Sequence, residues 1–198
     1  MINILAILED NRLAGPHKRL LAISNYLNTR HHNDVRVDIV FPLNPSEELK
    51  REINKISRNT KFFYLSLRRL SSSLLDIFLY LILLPRDLYL IIRIVKYRDI
   101  DIVHICGGIW QIKGVIAAML TRKKYVWHLN DSYQPNIILT LFGALLRRSK
   151  NVIYASNRTR NYYQTYVKTT NTAIIDSPVD ILQDVSSTQK KKNTIDFR

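Results

Sequence analysis

The sequence has 198 residues, 46% of them hydrophobic, which suffices for one substantial core and points to a single globular unit with at most a tail. Thirty Lys and Arg against sixteen Asp and Glu leave a net charge of +14, favouring anionic partners: nucleotide phosphates, nucleic acid or an acidic lipid surface. The single cysteine, Cys106, excludes an intrachain disulfide and is compatible with a reducing, cytosolic setting.

The amino terminus, MINILAILEDNR, has no basic segment before its apolar stretch and no small-residue cleavage site after it, so it reads as a first strand and not as a signal peptide. Ile2 to Leu8 is almost continuously apolar, the pattern of a strand covered on both faces, and it runs into Glu9, Asp10 and Asn11. A loop with Gly15 and Pro16 follows. His17 to Leu27 then has helical spacing and Val35 to Phe41 alternates as a strand, completing a β-α-β unit. Ser46 to Ile56 opens with acids suited to a first helical turn, and Lys61 to Leu65 has strand composition. Two helical stretches flank Pro85 and end near Arg98. The apolar segment Leu74 to Leu84 is interrupted by Asp76 and stopped by Pro85, Arg86 and Asp87, short of the about 20 apolar residues of a membrane span.

Asp101 to Ile105 is the next strand, ended by Gly107 and Gly108. Trp110 to Leu120, Pro135 to Arg148 and Asn157 to Val167 read as helices, and Lys124 to Leu129, Asn151 to Ala155 and Thr172 to Ile175 as strands. This alternation predicts an α/β fold: a Rossmann-like open parallel sheet with helices on both faces, right-handed crossovers, and ligands at the carboxyl ends of the strands. The domain is expected over residues 1–182, with a basic polar tail or interdomain linker over 183–198.

Three strand-to-helix junctions carry candidate chemistry. In Ala14-Gly15-Pro16-His17-Lys18-Arg19, Gly15 allows a tight turn and the helix start offers N–H groups and positive partial charge to an anion; the alternative is a turn with a basic solvated face. The stretch is neither GxGxxG nor a Walker loop. In Trp127-His128-Leu129-Asn130-Asp131-Ser132, His128, Asn130 and Asp131 can hydrogen-bond sugar hydroxyls above the sheet. Alternatively His128 is an ordinary buried histidine and Asn130 or Asp131 caps the next helix. In Ala155-Ser156-Asn157-Arg158, Ser156 or Asn157 can cap a helix while Arg158 reaches a phosphate or acidic group. His104 with Gly107 and Gly108 adds an imidazole and a turn on the same edge.

Other chemistries find no pattern. His17, His31, His32, His104, His128 and Cys106 lack zinc spacing, so no metal is expected, and there is no G-x-S-x-G nucleophile elbow. Arg68-Arg69, Lys123-Lys124, Arg147-Arg148 and Lys190 to Lys192 are dispersed, so nucleic acid is not an expected partner. Leu74 to Tyr97 mixes Leu, Ile, Phe and Tyr with Arg86, Arg93, Lys96 and the adjoining Arg98, which suits burial against the sheet or, for an exposed subset, an anionic membrane surface.

Taken in order, Ile4 to Arg19, Asp101-Ile102-Val103-His104, Lys113-Gly114-Val115-Ile116-Ala117-Ala118, Val126 to Asp131, Ala155 to Arg158 and Ser177-Pro178-Val179-Asp180 resemble the amino-terminal domain of family 4 glycosyltransferases. Those enzymes have the GT-B fold of two Rossmann-like domains, and the resemblance covers nearly all of Met1 to Asp180. It implies that the loop with Gly15, Pro16 and His17 approaches donor phosphates and acceptor. It further implies that His128, the catalytic candidate, lies near the transferred sugar while Asn130 and Asp131 shape the pocket; Asn157 and Arg158 complete the candidate substrate-binding set. The implied reaction is retaining transfer from a UDP- or GDP-sugar to a glycan or lipid-linked acceptor, without cofactor or metal, in the cytoplasm or peripherally on the inner membrane face. The family's nucleotide-holding second domain has no counterpart in the sequence, which implies truncation and no turnover without that domain or a separate subunit. The usual Gly-Gly of the first loop is Ala14-Gly15, narrowing a ligand's approach. The alternative is a non-catalytic membrane- or protein-binding module that keeps the fold.

Overall fold

The computed structural model describes residues 1–56, 59–67, 73–108, 111–130, 132, 139–165 and 171–176. Strands β1 (Ile2–Ile7), β2 (Val35–Pro42), β3 (Phe62–Leu65), β4 (Ile102–Cys106), β5 (Lys124–Leu129), β6 (Asn151–Tyr154) and β7 (Asn171–Ile174) form one parallel sheet in the order β3-β2-β1-β4-β5-β6-β7. They alternate with helices α1 (Gly15–Arg30), α2 (Glu47–Asn54), α3 (Leu74–Tyr97), α4 (Ile112–Leu120), α5 (Leu139–Arg148) and α6 (Asn157–Gln164). The expected tail over 183–198 lies outside the described residues.

The strand order dictates where the helices go. From β1 the chain steps outward to β2 and β3, then crosses back past β1 to β4 and continues the other way. Right-handed crossovers therefore put α1 and α2 on one face and the later helices on the other. Side chains follow with the period of two of a strand: Ala6 and Leu8 join Ile39 and Phe41 against Leu20, Leu21, Leu49 and Ile53. Leu5 and Ile7 join Val103, Ile105, Trp127 and Leu129 against Ile91, Val95, Val115, Leu146 and Tyr163.

Two elements depart from the sequence expectation: α1 begins at Gly15, so Gly15 and Pro16 lie in its first turn and not in a loop before it. Pro85 does not divide two helices; α3 runs through it. The Leu81 carbonyl that loses its partner belongs to an exposed residue, as Pro85 itself is, so water can serve it. On the opposite side Tyr80, Asp87, Ile91 and Val95 bury a continuous stripe that holds the helix together. Among the described residues, no helix is long and apolar enough to cross a membrane.

Trp127 shows how the core reaches the functional edge. Its ring is fully buried, edge-on to Phe142 with centroids 5.0 Å apart, and Nε1 donates to the Gly107 carbonyl at 2.8 Å. Trp127→Phe keeps an aromatic there but orphans that carbonyl. It is expected to lower stability by about 1–3 kcal/mol, seen as a reduced denaturant midpoint at unchanged slope.

Candidate functional site

The reversal of strand order between β1 and β4 leaves the loops after them diverging, which is where parallel sheets form a crevice. A cavity of about 290 Å³ lies there. Leu8, Glu9 and Asp10 line it from the end of β1, and Ala14, Pro16 and His17 from the start of α1. Cys106, Gly107, Gly108 and Gln111 close it behind β4, and Asn130 behind β5.

The walls are held by hydrogen bonds between loops. Gly107 has φ +142, a conformation L side chains rarely adopt, and a Cβ there would stand 2.7 Å from Gln111 Cγ. Its N–H donates to the His128 carbonyl at 2.8 Å. Gln111 Oε1 accepts the Glu9 N–H at 2.9 Å, joining the β1 and β4 loops. Gly15, by contrast, lacks a positive φ and a Cβ there would meet nothing within 4 Å. Correcting the expectation above, the turn does not need glycine at that position; the small residue leaves open space.

The start of α1 is also less open to an anion than expected. Pro16 has no N–H and that of His17 donates to the Ala14 carbonyl at 3.0 Å, so only Gly15 of the first three helical residues offers its amide. The buried His17 ring stacks on Phe41 at 5.8 Å, and Nε2 lies 2.9 Å from the Asp10 carbonyl. A carbonyl only accepts, so Nε2 carries the proton. Burial lowers the pKa of His17, partly opposed by that hydrogen bond and by the Asp10 charge. A neutral His17 thus pins α1 to the β1 loop.

Because Trp127 and Leu129 face the α3 side, His128 faces the α1 side, where it stacks on His104 with centroids 5.8 Å apart and rings inclined by 25°. Cys106 Sγ lies 3.6 Å from His104 Nε2. Arg19, itself buried, donates to Asn130 Oδ1. Desolvation, reinforced by Arg19, pulls His104 down to about 4. The same causes, with His104 added, pull His128 down to about 3. Burial pushes the Cys106 thiol up to about 12 despite Arg19. At neutral pH both imidazoles are therefore uncharged and the thiol is a poor nucleophile, while Arg19 brings positive charge behind the cavity.

The predicted site residues separate into three groups. Pro16, His17 and Asn130 line the cavity, with Gly15 adjoining it. His128 is only 4% exposed and sits behind the lining, with Nε2 unpartnered among the described residues. Asn157 and Arg158 are exposed at the start of α6, outside the lining, and Ser156 supplies the cap by accepting the Thr159 N–H at 3.1 Å. Asp131 lies outside the described residues. Among those residues no group of three or more His, Cys, Asp or Glu converges to hold a metal ion.

Sequence reasoning gave no role of their own to Glu9, Asp10, Arg19, Gln111 or Lys113. Lys113, the charged residue of the otherwise apolar α4, is fully buried and reaches Glu9 Oε2 at 3.2 Å and Asp87 Oδ2 at 2.9 Å. Its ammonium also lies 4.6 Å from the centre of the Tyr80 ring. The cluster ties the cavity's Glu9 to α3 and α4. Its sequence signal was a lone cation in an apolar helix.

The family profile of Glycosyltransferase Family 4 matches residues 15–181. No curated protein matches the sequence. Among solved structures, a glycosyltransferase from Rickettsia africae ESF-5 superposes with a TM-score of 0.70 at 15% identity, over 98% of this chain and 50% of that one. Alr3699/HepE of Anabaena, in complex with UDP and glucose, gives 0.64 at 17% identity over 98% and 50%. The lipopolysaccharide outer core galactosyltransferase WaaB gives 0.61 at 11% over 91% and 47%. The chain thus spans about half the length of these proteins, as one Rossmann-like half of the GT-B architecture does. At such identities the superpositions establish the fold, and the profile match establishes the family: the chain belongs to Glycosyltransferase Family 4.

Proposed function

We propose that this chain is the acceptor-side half of a retaining glycosyltransferase, moving a sugar from a UDP- or GDP-sugar to a glycan or lipid-linked acceptor of surface polysaccharide or lipopolysaccharide. The observation that carries the reading is the cavity at the strand-order reversal, where the α1 start, Asp10 and Asn130 offer hydrogen-bonding groups over a wall fixed by Gly107 and Gln111. Anabaena HepE, which shares the fold, is solved with UDP and with UDP-glucose. In this reading Gly15, Pro16, His17, Asn130 and Asp131 meet donor and acceptor, and His128 supports Asn130 from behind. Asn157 and Arg158 stand farther along the same edge, for a larger substrate. Turnover requires a second domain or subunit to hold the nucleotide. The work takes place at the cytoplasmic face of a membrane, where lipid-linked acceptors are met.

Titration calorimetry of the full chain with UDP- and GDP-sugars, alone and with the protein encoded downstream, tests this. Binding or transfer that needs the second protein is the expected result. His128→Ala is then expected to lower transfer about 100-fold through displacement of the pocket wall, with the chain still folded by circular dichroism. A folded chain that binds no nucleotide sugar in either setting leaves a non-catalytic module, the reading favoured by the outward face of α3.

A further inference from the structure

The buried and exposed halves of α3 are both apolar, which a helix packed on one side only does not need. Leu75, Phe78, Leu81, Ile82 and Tyr89 are 55–66% exposed. At about 100° per residue, Leu75, Phe78, Ile82 and Tyr89 fall within roughly a quarter of the helix circumference. Arg86, Arg93 and Lys96 fall on that stripe too. These three cations are exposed and, among the described residues, form no ion pair. No exposed residue of α3 is acidic.

Arg86 donates to the Ser66 carbonyl at 3.3 Å, but among the described residues none of the three meets an acid, and cations interleaved with exposed Leu, Phe, Ile and Tyr call for a partner that is apolar and anionic together. A second copy docked here would bring three more cations against these three. We propose that the outward face of α3 is a docking surface for an anionic bilayer, with the helix lying in the interface, its aliphatic and aromatic side chains among the acyl chains and Arg86, Arg93 and Lys96 at the phosphates. This rests on the membrane-side part of the proposed function and specifies where it resides. It does not depend on sugar transfer.

The test is co-sedimentation of the full chain with vesicles of phosphatidylglycerol in phosphatidylcholine, against phosphatidylcholine alone, at low and high salt. Binding confined to the anionic vesicles and weakened by salt is expected. The triple variant R86Q/R93Q/K96Q should lose about 100-fold in partitioning, at roughly fivefold per cation. F78E/I82E, altering only exposed positions, should lose at least about tenfold. I23E/Y26E, on the exposed face of α1 across the sheet, should bind as the parent does. Absence of binding by the folded parent overturns both the surface and the membrane-side reading, leaving calorimetry to judge the transferase. Binding that survives both α3 changes overturns the surface alone. Self-association abolished by F78E/I82E, without vesicle binding, overturns it in favour of a second copy.

Discussion

Acidification from about pH 6.5 to about pH 5 is expected to remove about 3 kcal/mol of stability through His104 and His128 together. Their folded pKa values lie at about 4 and about 3, below the ordinary 6.5. The unfolded chain therefore takes up protons first. The stability these groups contribute is complete above about pH 6.5 and declines as pH falls towards 4 and then 3. Each histidine contributes a slope of about 1.4 kcal/mol per pH unit in that window, and residual solvent at the partly buried His104 trims its share. The lowered pKa of His17 acts in the same direction. Denaturant midpoints of the parent and of H104N/H128N, compared across the window, check this. The double variant should show less than half the parent's loss, and an equal loss in both proteins would refute the assignment.

Lys113→Met should be as damaging at neutral pH. The ammonium stands between Glu9 and Asp87, whose side chains are 3% and 0% exposed, and its removal leaves two carboxylates facing one another away from water. Breaking a buried pair on one side costs about 3–5 kcal/mol, a large part of the about 5–15 kcal/mol that holds a domain folded. The melting temperature should fall by about 10 °C or more. Neutralising all three together, as E9Q/D87N/K113M, should restore most of it, because the cost lies in the stranded charge. The exposed pair Lys50 with Glu47, although only 2.7 Å apart, provides the contrast: Lys50→Ala should leave the midpoint unmoved.

The sheet was legible in the sequence because its strands announce themselves. Lys124 to Leu129 was bounded correctly by its apolar run between turn residues, and the alternation placed β2 to within one residue, its end at Pro42 instead of Phe41. Pro85 misled because local chemistry gives a helix stop there, whereas the outcome depends on which side of α3 the proline occupies. The candidate site was readable only in part. Loop residues after the strands could be named from position, but Arg19 meets Asn130 across 111 positions and Lys113 meets Glu9 across 104, partnerships no local pattern encodes. His128 was found by type and place. That it turns towards α1 and stacks on His104 follows from the pleat of β5, once Trp127 has claimed the opposite face.

β1 lies between β2 and β4, pairing Ile4 with Val37 on one side and with Ile102 on the other. During synthesis β2 is available soon after β1, whereas β4 emerges only after all of α2, β3 and α3. For that interval an apolar strand of the nascent chain presents an unsatisfied edge, with side chains that belong to two cores of which one has scarcely begun to form. The central position that later shapes the crevice thus makes β1 the segment a nascent chain must keep from pairing with its neighbours on other ribosomes.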